Sequence, residues 1–303
     1  MADTIDITQA QYFIPEIWAN QALEILRANI AVAPRVLRDT DVATFARGDI
    51  LHIPYPGTLA ATAKAAGTEY VLKLPSGETE VQVPLDQHYA VSFVVEDIVR
   101  AQANQDVMAR YSEAAAIALA ENIEAALITE LQTNTSGPVG SVGTALTAAT
   151  VRSAWKAMTD NKCPADQRYL VISTKDWINL LDDSDLANFF AWNRTTAFSA
   201  ASLGNLYGFE TFASQLITTD SATPAHTHNV AWRRDGAILA MRGLPEPPAG
   251  SGAVAANVRD PESGLVLRSL MGYDTRLGGV QVTLEVLYGV QTLRAEKVLL
   301  VNS

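Results

Sequence analysis

The sequence predicts an α+β fold. Three observations lead there: an uninterrupted helical pattern over 106–131, apolar alternation over 70–85, and strand-like sequence from 264 to the end. The elements follow in order from the N-terminus. Residues 16–30 read as a helix, with Glu16 early, Ile17, Leu23, Leu26 and Ile30 near helical spacing, and Pro34 as the stop. A short strand follows in "GDILHIPYPG", closed by Pro54, Pro56 and Gly57. After the Ala/Thr/Gly-rich "TLAATAKAAG" comes a hairpin over 68–85. Tyr70, Leu72 and Leu74 share one face of its first strand, and Val81, Val83 and Leu85 one face of its second. Glu69, Lys73, Glu80 and Gln82 take the other face, Val71 breaks the pattern, and Pro75-Ser76-Gly77 makes the turn. A third strand, "HYAVSFVV", returns from it.

The most regular segment is 106–131. Val107, Tyr111, Ala115, Leu119, Ile123, Leu127 and Leu131 recur every four residues, while Arg110, Glu113, Glu121 and Glu124 fall mainly on other faces. A helix of this length is a strut of roughly 39 Å. Spacing of four drifts around a helix and does not hold a coiled-coil seam. Beyond the loop "TNTSGPVGSVGTALT", the pattern predicts a helix over 147–160, a buried strand "RYLVIST", and a helix in "KDWINLLDDSD" with Asp176 near its start. Strands follow in "LYGFETFASQLI" and "NVAWRRDGAILAM", then a Pro/Gly-rich boundary at 243–252. "GLVLRSLMGY", "VQVTLEVLYGVQTL" and "KVLLV" complete the chain.

Composition narrows the function. The chain has 303 residues, 48% hydrophobic and 18% charged, enough for a sizeable core and unlike a disordered chain. No run approaches a membrane span, and the front lacks the basic and apolar regions of a signal peptide, so the expectation is a soluble protein of the cytosol. A net charge of −11 argues against tight nucleic-acid wrapping, which needs concentrated Lys and Arg. The local pair Arg233-Arg234 reads as a solvated strand end. With Cys163 alone, neither an intrachain disulfide nor a cysteine-based metal site can form.

The chemical motifs are sparse. His226-Thr227-His228 offers two imidazoles where a metal site needs three or four ligands. Asp182, Asp183 and Asp185 lack the glycine and terminal glutamate of a calcium loop, so a solvated helix end is the expectation. The glycines of "GPVGSVG" at 137–143 follow a helix and precede no Lys-Ser/Thr pair. No nucleophile elbow appears, and nothing near Cys163 in sequence activates its thiol. The expectation is a protein with no cofactor, no metal and no enzymatic activity.

Apolar surface does stand out. Ile14, Ile17 and Trp18 crowd the front of the chain, where termini are usually polar. The 68–85 hairpin has an apolar face and no partner legible in sequence, and isolated hairpins are marginal in water. Another chain covering it is the economical inference.

Taken together, "IPEIWANQALEIL", "GDILHIPYPG", "YAVSFVVED" leading into the long helix, "GNLYGFETFASQLI", "NVAWRRDGAILAM" and "LEVLYGVQTLRAEKVLLV" resemble the major capsid proteins of tailed bacteriophages, which have the Hong Kong 97-type fold. The resemblance spans nearly the whole chain. It implies an N-terminal arm at 1–47, a strand and extended loop at 48–87, a peripheral domain at 88–144 with spine helix 106–131, an axial domain at 145–245, and C-terminal strands at 246–303 completing both sheets. It implies a virion protein assembled in the host cytoplasm, self-associating into pentamers and hexamers of an icosahedral shell. Double-stranded DNA would be enclosed without sequence-specific binding, and no membrane is involved. Scaffolding protein and portal are implied partners, and a decoration protein a further one. The chain starts almost directly with the arm motif, so the scaffold is expected as a separate protein or a leader already removed.

On this reading Ile14, Ile17, Trp18, Tyr70, Leu72, Leu74, Val81, Val83 and Leu85 are the candidate subunit-contact residues. Burial of the first three within their own domain stays open beside docking on a neighbour. Lys64, Lys73 and Asn302 are of the residue types that crosslink in some relatives, but no catalytic partner is identifiable and no crosslink is predicted. The rivals are an encapsulin-type nanocompartment shell and a metal enzyme using His226 and His228.

Overall fold

The structure, a computed structural model, describes Ala22 and residues 31–39, 50–55, 61–70, 79–98, 107–133, 135–184, 204–217, 226–248, 252–259 and 265–303. In chain order its strands begin with β1 (Leu37–Asp39), β2 (Ile50–Tyr55), β3 (Thr79–Pro84) and β4 (Gln87–Glu96). Helix α1 (Val107–Thr133) follows, then β5 (Pro138–Val139), α2 (Ala148–Asp160), β6 (Arg168–Ser173) and α3 (Thr174–Leu181). The remaining strands are β7 (Asn205–Leu206), β8 (Phe209–Ser214), β9 (His228–Arg233), β10 (Ala237–Arg242), β11 (Ala253–Arg259), β12 (Val266–Asp274), β13 (Gly279–Thr292) and β14 (Val298–Asn302).

Helix α1 is the expected strut, 27 residues without a helix breaker. Ala115, Leu119, Ile123, Leu127 and Leu131 are buried as their spacing predicts, whereas Tyr111 is exposed. A neighbouring row is buried as well: Ala116, Ala120, Glu124 and Ile128. Alanine in both rows lets the helix lie close to the strands beneath it.

Two six-stranded sheets meet on this helix. In the first, β13 is central: β12 and then β10 pair along one edge, and β4 pairs along the other over Gly279–Tyr288. β11 extends β12, and β1 runs parallel to β10. In the second the order is β5-β14-β9-β6-β8-β7. Alternation divides its side chains between two layers. Val171, Val230, Trp232 and Val298 join the α1 core, while Leu170, Ile172, Ala231, Leu299 and Val301 pack with Val151, Ala154 and Met158 of α2.

Besides the passage through α1 from β4 to β5, the chain passes directly between the sheets at the 3-10 turns Arg234–Gly236 and Ala295–Lys297. The crossings are adjacent: Leu293 N–H and Arg294 N–H donate to the Gly236 carbonyl at 2.8 and 3.1 Å. Lys297 Nζ reaches Asp235, which also takes Arg233 Nη1 at 2.7 Å, and Arg233 Nη2 reaches Asp166 at 2.9 Å. Arg233, at the end of β9, is therefore the centre of a partly buried ion cluster and not simply a solvated strand end. The crossing also places Ala237–Arg242 in the first sheet, so the change of sheet falls earlier than the boundary expected at 245.

The strand expected at 81–85 is present, while 71–74 of its expected partner lie outside the described residues. β3 pairs with β2, Ile53 opposite Val81 and Leu51 opposite Val83, while Thr68–Tyr70 form no strand. The buried face of this pair lies on Ile238 and Ala240 of β10 and on Leu293. β10 is thus covered on both faces, which is why "AILAM" reads as a continuous apolar run. Gly289 of β13 sits directly under Pro84. A Cβ there would overlap the Pro84 carbonyl oxygen, so the approach of the two segments requires glycine.

Candidate subunit-contact surface

The candidate contact residues separate into three groups. Ile14, Ile17, Trp18, Leu72 and Leu74 lie outside the described residues. Tyr70 is 78% exposed, at the end of the exposed stretch 61–70, with Lys64 Nζ 4.5 Å from its ring centroid. Val83 and Leu85 are buried in the chain's own core, and half-buried Val81 packs against the same cluster. For Val83 and Leu85 the expected contact role is corrected. The face that alternation marks as apolar is satisfied by β10 of the same subunit, and no other chain is needed to cover it.

Where residues 31–39 meet the core, the geometry rests on a buried carboxyl group. Glu124 is 4% exposed on the buried face of α1. Val32 N–H donates to its Oε1 and Oε2 at 2.7 and 3.0 Å, and Ala33 N–H to Oε1 at 3.3 Å. Burial pushes the Glu124 pKa up to about 7, against the opposing pull of the Ala33, Val32 and Ala31 N–H groups and of Arg35. Just beyond, Arg35 ion-pairs with Glu210 of β8 and lies 4.7 Å from the Phe212 ring centroid. The indole N–H of buried Trp232 donates to the Arg35 carbonyl at 3.1 Å. Residues 31–39 are thereby tied to α1 and to the second sheet. Glu124 is read from sequence as an outward residue. The signal pointing inward is the second four-spaced row, Ala116–Ala120–Ile128, which has Glu124 as its one charged member.

A second feature lies on the outer side of the second sheet. β7 and β8 are joined by a two-residue turn, Tyr207-Gly208, with Leu206 opposite Phe209. Both turn residues have positive φ, +48° for Tyr207 and +83° for Gly208. That is the type I′ pattern, whose first position favours Asn, Asp or Gly. A bulky side chain held there costs about 1 kcal/mol or more. Tyr207 is 37% exposed and accepts a hydrogen bond from Arg152 Nη1 at 3.1 Å through its hydroxyl. Trp155, one turn further along α2, is 39% exposed, and with Arg152, Tyr207 and Gly208 it lines a cleft of about 520 Å³. Behind it, buried Arg168 lies 5.8 Å from the Trp155 ring centroid and donates to the carbonyls of Pro164, Cys163 and Trp155. The aromatic surface is held from beneath.

Residues 78–296 match the family model described as "Phage capsid protein". The chain belongs to that family. Among solved structures it is similar to one from Mycobacterium phage Che8, at 21% identity over 90% of each chain and a TM-score of 0.67. The capsid of cyanophage P-SCSP1u is similar at 15% identity over 88% of this chain and 86% of that one, with a TM-score of 0.63. The virus-like particle from Pyrococcus furiosus is similar at 10% identity over 94% and 98%, with a TM-score of 0.55. No curated protein matches the sequence. The fold is the Hong Kong 97 type, the family is structural, and the chain is a capsid shell protein.

The motifs that suggested other chemistry have structural places in the capsid fold. His228 Nδ1 lies 2.8 Å from Asn302 Oδ1 across the β9–β14 pair. Asp183 accepts the Ala148 N–H at 2.9 Å and so caps α2, while Asp182 ends α3 and Asp185 lies outside the described residues. The 137–143 loop contains β5, parallel to β14. Cys163 is buried and its thiol is pushed up by that burial. Among the described residues no group of three or more His, Cys, Asp or Glu side chains is placed to share an ion, and no helix is long and apolar enough to cross a membrane.

Proposed function

We propose that this chain is the repeating subunit of a tailed-phage head, forming pentamers and hexamers of an icosahedral shell around double-stranded DNA. The observation that carries the reading is the family match over 78–296, together with a long helix bridging two sheets. In this scheme 1–47 form an N-terminal arm, 48–87 an extended loop, 88–144 the peripheral domain, 145–245 mainly the axial domain, and 246–303 strands of both. A scaffolding protein, a portal and a decoration protein are the expected partners, with assembly in the host cytoplasm and the virion as destination. Ile14, Ile17, Trp18, Tyr70, Leu72 and Leu74 remain the proposed contacts between subunits. An acidic chain suits this role, since a wall of charge −11 per subunit does not grip DNA and leaves it free to exit. Cohesion comes from modest contacts repeated by symmetry.

A shell that encloses protein cargo is the weaker reading, since the Pyrococcus furiosus particle matches less closely than the phage structures. Nuclease treatment of particles purified from cells carrying the whole phage gene set separates the two. Protected double-stranded DNA inside particles of this chain is the expected result. Particles that hold a co-purified protein and no protected DNA would overturn it.

A further inference from the structure

We infer that the outer edge of β4 is a pairing site for the same edge of a second copy of this chain, the two strands running antiparallel about a two-fold axis at Ser92. The inference rests on the shell reading above, which requires contacts between copies, and names one of them.

The edge is open and unguarded. β4 pairs with β13 on one side, and among the described residues no strand pairs with its other side. Asp97 N–H donates to the Gly278 carbonyl at 3.0 Å, which makes these two a hydrogen-bonded pair. By the alternation of an antiparallel ladder, the main-chain N–H and C=O groups of His88, Ala90, Ser92, Val94 and Glu96 then point away from β13. Native edges are protected by proline, lysine or a bulge. "QHYAVSFVVE" has neither proline nor lysine, and its register with β13 is one-to-one from Gln87 to Glu96.

The symmetry of the edge selects the occupant. The outward groups are centred on Ser92, so an antiparallel second copy sets Ser92 opposite Ser92, Ala90 opposite Val94 and His88 opposite Glu96. Each such pair exchanges its N–H and C=O groups. The ends are complementary, imidazole against carboxylate, and the Glu96 side chain has no partner among the described residues of its own chain. Near the axis Ala90 and Ser92 are small and exposed. On the α1 side of the sheet the same register brings Phe93 opposite Val91 and Tyr89 opposite Val95, aromatic on β-branched pairs of the kind that stabilise sheets. Tyr89 is 40% exposed, and Tyr111, with its ring centroid 5.6 Å from that of Phe93, is 56% exposed, so apolar surface lies beside the open edge. A two-fold contact of this kind is isologous and links a subunit of one cluster to a subunit of the next.

The test uses the full chain expressed with the rest of a phage gene set, comparing wild type, Ser92→Cys, Ala90→Cys and Val94→Pro. The natural Cys163 is buried. On the axis the two Cα atoms at position 92 stand about 5.5 Å apart, within disulfide reach, whereas those at position 90 are about 14 Å apart. With oxidised glutathione added to purified particles, Ser92→Cys should give at least about tenfold more disulfide-linked dimer than Ala90→Cys on a non-reducing gel. Val94→Pro removes an N–H that points away from β13, where edge strands tolerate proline, so its unassembled subunit should melt near the wild-type temperature. Its yield of closed particles should fall about tenfold or more. Particles in which Ser92→Cys links no better than Ala90→Cys would overturn the inference and leave the shell reading intact, as would wild-type particle yield from Val94→Pro. A wild-type chain that forms no particles would overturn both.

Discussion

Glu124 of α1 accepts the backbone N–H of Val32 at 2.7 Å, and both residues are buried. The carboxyl titrates near 7 in this setting, against 4.5 for an unperturbed glutamate, because burial outweighs the donated hydrogen bonds. Between those two values the folded chain holds a proton that the unfolded chain has released. The contribution of this group is therefore greatest below the lower value and falls as pH rises to the upper one. Glu124→Gln keeps an acceptor for Val32 and cannot ionise. Relative to wild type, the variant should gain stability from pH 5 to pH 8, by roughly 3 kcal/mol at most. Denaturant unfolding of the unassembled subunit at both pH values measures the gap; a gap independent of pH would contradict this role.

The base of the extended loop should behave as core and its outer part as surface. Val83→Ala should cost about 2 kcal/mol, as expected for a truncated buried side chain. Tyr70→Ala should change subunit stability by no more than about 0.5 kcal/mol. A deletion of 68–85 would remove β3 and unfold the β10 face it covers. Removing 61–70 should leave a folded subunit with impaired shell formation, measured by circular dichroism and particle yield. Unfolding on removal of 61–70 alone would contradict the division.

Gly289→Ala tests the close approach of β3 to β13. The added methyl meets the Pro84 carbonyl, which belongs to main chain and cannot swing aside. A loss of about 2 kcal/mol or more is expected from thermal melting. Unchanged stability would mean that β3 does not lie there.

At the paired sheet crossings, burial raises the Asp235 pKa but the hydrogen bonds from Lys297 and Arg233 hold it below its usual value. Its contribution is present above the ordinary carboxylate range and is lost as pH falls through the lowered value. Lys297→Met leaves the acid with Arg233 and partial solvation, so it should cost about 1–2 kcal/mol. Adding Asp235→Asn to that variant should recover part of the loss. A double variant as unstable as the sum of the two singles would contradict direct coupling.

The helical strut and the location of many strands are legible in the sequence, because period and turn residues are local properties, and the shell fold is legible through the family resemblance. Partners are not. Alternation identified Val81, Val83 and Leu85 as one face of a strand, yet it carries no information on which strand lies beside it or what covers that face. The pairing of Leu287 with His88 depends on closure of a long loop that no local pattern records. "AVAANVR" carries no clear apolar alternation and is a strand through its pairing with β12. Of the proposed contacts, Tyr70 is legible as an aromatic in a loop.

The most direct measurement of the central claim is electron microscopy of the chain purified after expression alone and together with the rest of a phage gene set. Closed particles with five- and six-fold clusters of this subunit are the expected result. A chain that remains strictly monomeric under those conditions would contradict the claim.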